Sequence, residues 1–221
     1  MRFGLTVRRF GTVATLAACQ SRLAPARPAL AQATGGAAQD SARGTRIGLI
    51  PAGFGSLRRD DIAISVQSLG LNVTAIPLDE NVIRTLAPDS YQMLHAQRES
   101  RAKQLDSVRS NMGLSSVQAW YVSFFNLQQG EARFDPTDFL VRSAGRDFRP
   151  LQLFPITPGF GSGRIAQRAT QSAIYAFDPQ VDPSQPITVI IGTQENATWG
   201  DAIQKIEIER ARVWSRANGK P

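Results

Sequence analysis

Val117–Leu127 reads VQAWYVSFFNL, a run without charge or proline. In an extended chain successive side chains alternate between faces, which places Trp120, Val122 and Phe124 on one side and Ala119, Tyr121 and Phe125 on the other. Both sets are apolar, so the run predicts a central strand buried on both faces. Downstream, Phe139–Ser143 and Leu151–Phe154 flank the turn Ala144-Gly145-Arg146-Asp147 and predict a hairpin. Ile165–Phe177 alternates, with Ala169, Ala173, Tyr175 and Phe177 on one face, and Ile187–Ile191 (ITVII) gives a last strand. Upstream, Arg46–Ile50 and Leu71–Ile76 read as short strands separated by a Gly- and Asp-bearing loop. Two Phe-Asp-Pro tripeptides, at Phe134 and Phe177, bound strands where proline cannot continue a ladder. The expectation is a mainly β chain, an Ig-like β-sandwich of about seven strands with Greek-key connections.

Two accessory helices complete the reading. From Asp89 to Met112, the residues Tyr91, Leu94, Ala102, Leu105, Val108 and Met112 form a stripe at helical spacing with one wider gap. Asp89 with Gln92 makes a capping box and Gly113 a stop. The C-terminal helix spans about 199–216, capped by Thr198 with Asp201, its stripe formed by Trp199, Ile203, Ile206, Val213 and Ala217. Arg210, Arg212 and Arg216 suit the negative end of its dipole, and Glu207 and Glu209 interrupt its basic face, which favours packing on the sandwich over lying on a membrane.

The 221 residues suffice for one domain with a core, here 45–221, once a leader and tether are subtracted. One cysteine and one histidine exclude an internal disulfide and a Cys/His zinc site. The formal charge of +7 is largely a property of the first 31 residues, which hold Arg2, Arg8, Arg9, Arg22 and Arg27 and no acid. Beyond them 20 basic residues face 18 acids, a net of +2, so nothing calls for a nucleic-acid partner.

Met1–Arg9 is short and basic, and Phe10–Ala18 is an uncharged apolar run, the order of a secretory signal over 1–18. Leu16-Ala17-Ala18-Cys19 follows and resembles the bacterial lipobox, which implies cleavage before Cys19 and acylation of its sulfur. The resemblance further implies several acyl chains on that cysteine. A rival cut lies after Ala29-Leu30-Ala31, before Gln32, and would leave a soluble periplasmic protein. Residues 20–44 are rich in Ala, Gln, Pro, Gly, Ser and Arg, too poor in large apolar groups to repay ordering, and predict a flexible tether. The expected location is the periplasmic face of a bacterial membrane, with the membrane as partner through the lipid anchor.

Within the domain the candidate chemistry is sparse. Asp135, Asp138, Asp147, Asp178 and Asp182 fall in strand connections, where they could surround a cation or flank a glycosidic bond. Lacking EF-hand spacing, they read first as turn residues. Arg164 and Arg168 are placed on one face of one strand, able to meet an anionic sugar or lipid head. Gly161-Ser-Gly163-Arg-Ile-Ala166 has the letters of a dinucleotide fingerprint but precedes β-type sequence, so it reads as a glycine-rich connection and no cofactor is called. His95 reads as a helix-surface residue. The functional expectation is a non-enzymatic envelope lipoprotein that binds an envelope polymer or protein, or acts in envelope assembly. The alternative is a periplasmic hydrolase of envelope polymers using the loop carboxylates.

Overall fold

The computed structural model describes residues 48–219. The expected signal, Cys19, the tether and the rival cut before Gln32 lie outside them. The chain contributes β1 (Ile64–Ser68), β2 (Leu71–Pro77), α1 (Glu80–Ile83), α2 (Pro88–Glu99), α3 (Ala102–Asn111), β3 (Gln118–Asn126), β4 (Ala132–Arg133), β5 (Phe139–Ser143), β6 (Arg146–Phe148), β7 (Gln152–Pro155), β8 (Arg164–Ile165), β9 (Thr170–Phe177), β10 (Ile187–Ile191), β11 (Gln194–Asn196) and α4 (Trp199–Asn218). The fold is mainly β: all strand pairs are antiparallel, in a five-stranded sheet β1-β2-β3-β9-β7, a four-stranded sheet β11-β10-β5-β6 and the small pair β4-β8.

β3 is central, with Val122 opposite Ala75 on β2 and Ala173 on β9. Trp120, Val122 and Phe124 are buried, whereas Tyr121, Ser123 and Phe125 on the other face are half-buried, so one face of the run carries the main core. Aromatic rings knit the two large sheets: Phe139 on β5 lies 5.1 Å from Tyr175 and 6.0 Å from Phe177 on β9, and Phe177 lies 6.1 Å from Trp120. Emptying a site of this kind, Trp or Phe to Ala, typically costs about 3–5 kcal/mol.

Several local expectations are corrected. The strand expected over Arg46–Ile50 is irregular across its described part, 48–50. The loop before Leu71 contains a strand, β1, which turns into β2 through Leu69 and Gly70, both at positive φ. The single helix over 89–112 is two helices, because Arg101, at φ −114° and ψ 5°, leaves helical geometry and its guanidinium donates to the Pro155 carbonyl. The break falls in the wider gap of the stripe. Helix α2 starts one residue earlier than expected, with Pro88 in its first turn, where a missing N–H costs nothing, and no side chain caps it. Nor does Thr198 cap α4 through its side chain. Ala144 and Gly145 do form the expected turn, but the partner of β5 is β6; Gln152–Pro155 crosses to the other sheet and pairs with β9. The strand expected over 165–177 is broken at 166–169, a turn that includes Arg168 at φ +56°.

Candidate functional site

Most of the five aspartates are engaged locally. Asp135 Oδ1 accepts from the Thr137 N–H at 2.8 Å and hydroxyl at 2.7 Å, and these bonds hold its carboxyl below the usual range. Asp178 accepts from the Gln180 N–H at 2.9 Å, and Asp182 from the N–H and hydroxyl of Ser184, each at 2.8 Å. These are the Asx turns to which short carboxylates are suited. Asp147 takes two bonds from the Arg142 guanidinium, at 2.7 and 3.3 Å, and Asp138 closes the turn Pro136–Asp138. Arg164 and Arg168 do not share a strand: Arg164 is in β8, 3.3 Å from Glu131, and Arg168 is in the turn that follows. Among the described residues no three His, Cys, Asp or Glu side chains gather as a metal site. Gly161–Ala166 leads into β8 rather than a helix, so its backbone lacks the helix N-terminus that a pyrophosphate requires.

Two glutamates form the developed polar clusters. Glu80, opening α1, accepts from Arg84 Nε at 2.6 Å and from His95 Nδ1 at 2.8 Å, with Arg98 at 3.5 Å. Burial opposes its charge, but the Arg84 and His95 bonds outweigh burial and keep its carboxyl below the ordinary value. An ionised Glu80 can only accept, so Nδ1 of His95 is the donor in this bond. The ring stacks on Tyr91 at 5.2 Å, and its side chain is 38% exposed, so His95 is a helix-surface histidine with one anchored nitrogen. Among the described residues no serine, threonine or cysteine hydrogen-bonds to Nε2, so the pair lacks the nucleophile of a triad. Arg98 also borders a cleft of about 290 Å³ between the α2–α3 pair and Val117, whose polar walls include Glu99, Asp106 and Arg109 in balanced charge.

The second cluster centres on Glu209, 1% exposed on the inner face of α4. One oxygen accepts from the Ser56 N–H, the Ser56 hydroxyl and the Arg216 guanidinium, each at 2.8 Å. Burial again opposes the charge, and Arg216 and Ser56 outweigh it, so the carboxyl stays ionised at neutral pH. The helical period that picked out Ile206 and Val213 also passes through Glu209, and that was the available signal for an inward carboxylate; its Ser56 partner, 153 positions away, left none.

No family model matches the chain, and neither a curated protein nor a solved structure matches it. Among the described residues no helix is long and apolar enough to cross a membrane.

Proposed function

We propose that this chain is an exported bacterial envelope lipoprotein, anchored through Cys19, whose Ig-like β-sandwich binds or assembles rather than catalyses. The lipobox-like Leu16-Ala17-Ala18-Cys19 after an uncharged apolar run supports export and anchoring. A sandwich is supported by the aromatic contacts between the five- and four-stranded antiparallel sheets. The observation that carries the binding reading over the hydrolase alternative is the engagement of Asp135, Asp178 and Asp182 in their own turns and of Asp147 by Arg142. A general acid needs a carboxyl raised toward neutrality, and Asp135 and Asp147 are both lowered.

The experiment has two arms. In cells fed a clickable fatty acid, the parent should label and partition into detergent, and Cys19→Ala should lose both, since the chain has no second cysteine. A mature protein that begins at Gln32 and stays in the aqueous phase would remove the anchor. Incubated with purified envelope polymers, the protein should retain polymer without releasing new ends. Release that disappears in Asp135→Asn or Asp182→Asn would transfer the reading to the hydrolase.

A further inference from the structure

At the end of the large sheet where β1 turns into β2 and β3 finishes, several segments converge on Asn126. This residue is fully buried; its Nδ2 donates to the Gly130 and Ile165 carbonyls at 2.8 and 3.1 Å, its Oδ1 accepts from the Gln128 N–H at 2.8 Å, and its own N–H reaches the Ala169 carbonyl at 3.1 Å. Leu127 N–H bonds the Gly70 carbonyl at 2.9 Å and Gln128 Nε2 the Leu69 carbonyl at 2.9 Å, so the hairpin tip is tied to the same frame.

What this frame displays runs against the rules for a stable surface. Leu69 stands 83% exposed at φ +50°, where Asn, Asp or Gly would sit with less strain, and Leu127 beside it is 52% exposed. Arg168, also exposed, holds φ +56°, so two of the three non-glycine residues at positive φ among those described lie at this end. Arg133 and Arg164 are direct cross-strand partners on β4 and β8, a like-charge pairing that destabilises a ladder. Glu131 answers Arg164 at 3.3 Å, and among the described residues no carboxylate pairs with Arg133 or Arg168. Departures from local stability concentrated at one place mark a site selected for something else.

We propose that this end of the domain is a docking surface for an anionic lipid bilayer. Leu69 and Leu127 enter the boundary between headgroups and acyl chains, and Arg133, Arg164 and Arg168 meet the lipid anions. The leucines protrude on loop tips rather than lining a groove, which suits a deformable apolar medium, and the surplus of cations around them suits a negative surface. The inference rests on the binding reading above, to which it adds the binding face and the class of ligand.

The full chain with Cys19→Ala has no cysteine, so Leu69→Cys or, at the far end on α3, Ser110→Cys can each carry one polarity-sensitive fluorophore. On phosphatidylcholine vesicles containing phosphatidylglycerol, the label at 69 should shift to the blue and the label at 110 should not; phosphatidylcholine alone should shift neither. Leu69→Asn and Arg168→Asn place at positive φ a residue better suited to it, so both should keep or raise the melting temperature. They should weaken vesicle affinity about tenfold and about fivefold respectively. Equal shifts at 69 and 110, indifference to phosphatidylglycerol, unchanged affinity in Leu69→Asn, or protection of the label by an envelope protein in place of lipid would each overturn the proposal. Should the acylated protein partition into detergent while position 69 stays in water, the docking surface falls and the binding reading stands. Should position 69 dock while the parent cleaves polymer, the outcome is the reverse.

Discussion

Glu209 and Arg216 stand two turns apart on α4, and their side chains meet at 2.8 Å directly over Ser56, closing the C-terminal helix onto the first described loop of the domain. The carboxylate is 1% exposed and the arginine side chain 41%, so one charge is buried and the other reaches solvent. Glu209→Ala leaves Ser56 without its acceptor and Arg216 with the Phe54 carbonyl in place of its carboxylate, and the expected loss is about 2 kcal/mol, below the full penalty for a broken buried pair because Arg216 can rehydrate. Glu209→Gln keeps an acceptor for Ser56 and should lose less. Urea titrations of the three proteins test this; an alanine variant as stable as the parent would show the cluster to be incidental.

The same carboxylate should imprint a pH dependence. Its folded pKa lies below the ordinary 4.5 of the unfolded chain, so its stabilising contribution is complete above that value and is lost as pH falls through the folded pKa. The stability gap between parent and Glu209→Gln should therefore be constant above about pH 5 and shrink in more acid solution. Melting temperatures taken across that range measure it, and a gap that widened in acid would reverse the sign assigned here.

Ala144 leads the β5–β6 turn at φ +48°, followed by Gly145 at +75°. Both positions demand the left-handed region, which an alanine occupies at a cost of about 1–2 kcal/mol. Ala144→Gly should raise stability by about 0.5 kcal/mol after the entropy of the added glycine, and Gly145→Ala should lower it by about 1 kcal/mol. Thermal melts that moved in the opposite directions would contradict the turn geometry.

Asn126 separates shape from chemistry. Asn126→Ala forfeits three side-chain hydrogen bonds, two of them to the Gly130 and Ile165 carbonyls, for an expected cost of about 2–3 kcal/mol. Asn126→Asp has nearly the same shape but points an acceptor at the Gly130 and Ile165 carbonyls, and it should be no better than alanine. Limited proteolysis should then cut first within residues 127–130. An aspartate variant with parental stability would require the amide to be oriented the other way.

What was legible in the sequence was whatever side-chain period encodes. Val117–Leu127, Ile187–Ile191 and the terminal helix are strongly patterned, and β3, β10 and α4 occupy those stretches. β1 escaped because ISVQS is short and its turn is Leu-Gly, without the Asn-Gly or Asp-Gly signal that normally announces a hairpin. The break at Ser100–Arg101 escaped because neither residue is a helix breaker; a contact to Pro155, made only in the folded chain, ends α2. Of the candidate residues, Asp135, Asp178 and Asp182 were readable as turn formers because an Asx turn is local, whereas Asp147 lies in β6 rather than in a connection and is held across the strand pair by Arg142. The partnership of Glu209 with Ser56 and that of Glu80 with His95 are tertiary, and spacing along the chain carries no record of them.

The placement of α1, α2 and α3 between β2 and β3 bears on how fast the domain assembles. Neighbouring strands at the heart of the sheet, with Ala75 beside Val122, can pair only after the chain between them has closed a long loop, and β3 must then wait for β9. Loop closure of this kind is entropically unfavourable before any contact rewards it, and such topologies fold in milliseconds to seconds rather than microseconds. Helices α2 and α3, rich in local contacts, can form early and shorten the effective loop, which gives them a kinetic part to play that is independent of anything their surfaces bind.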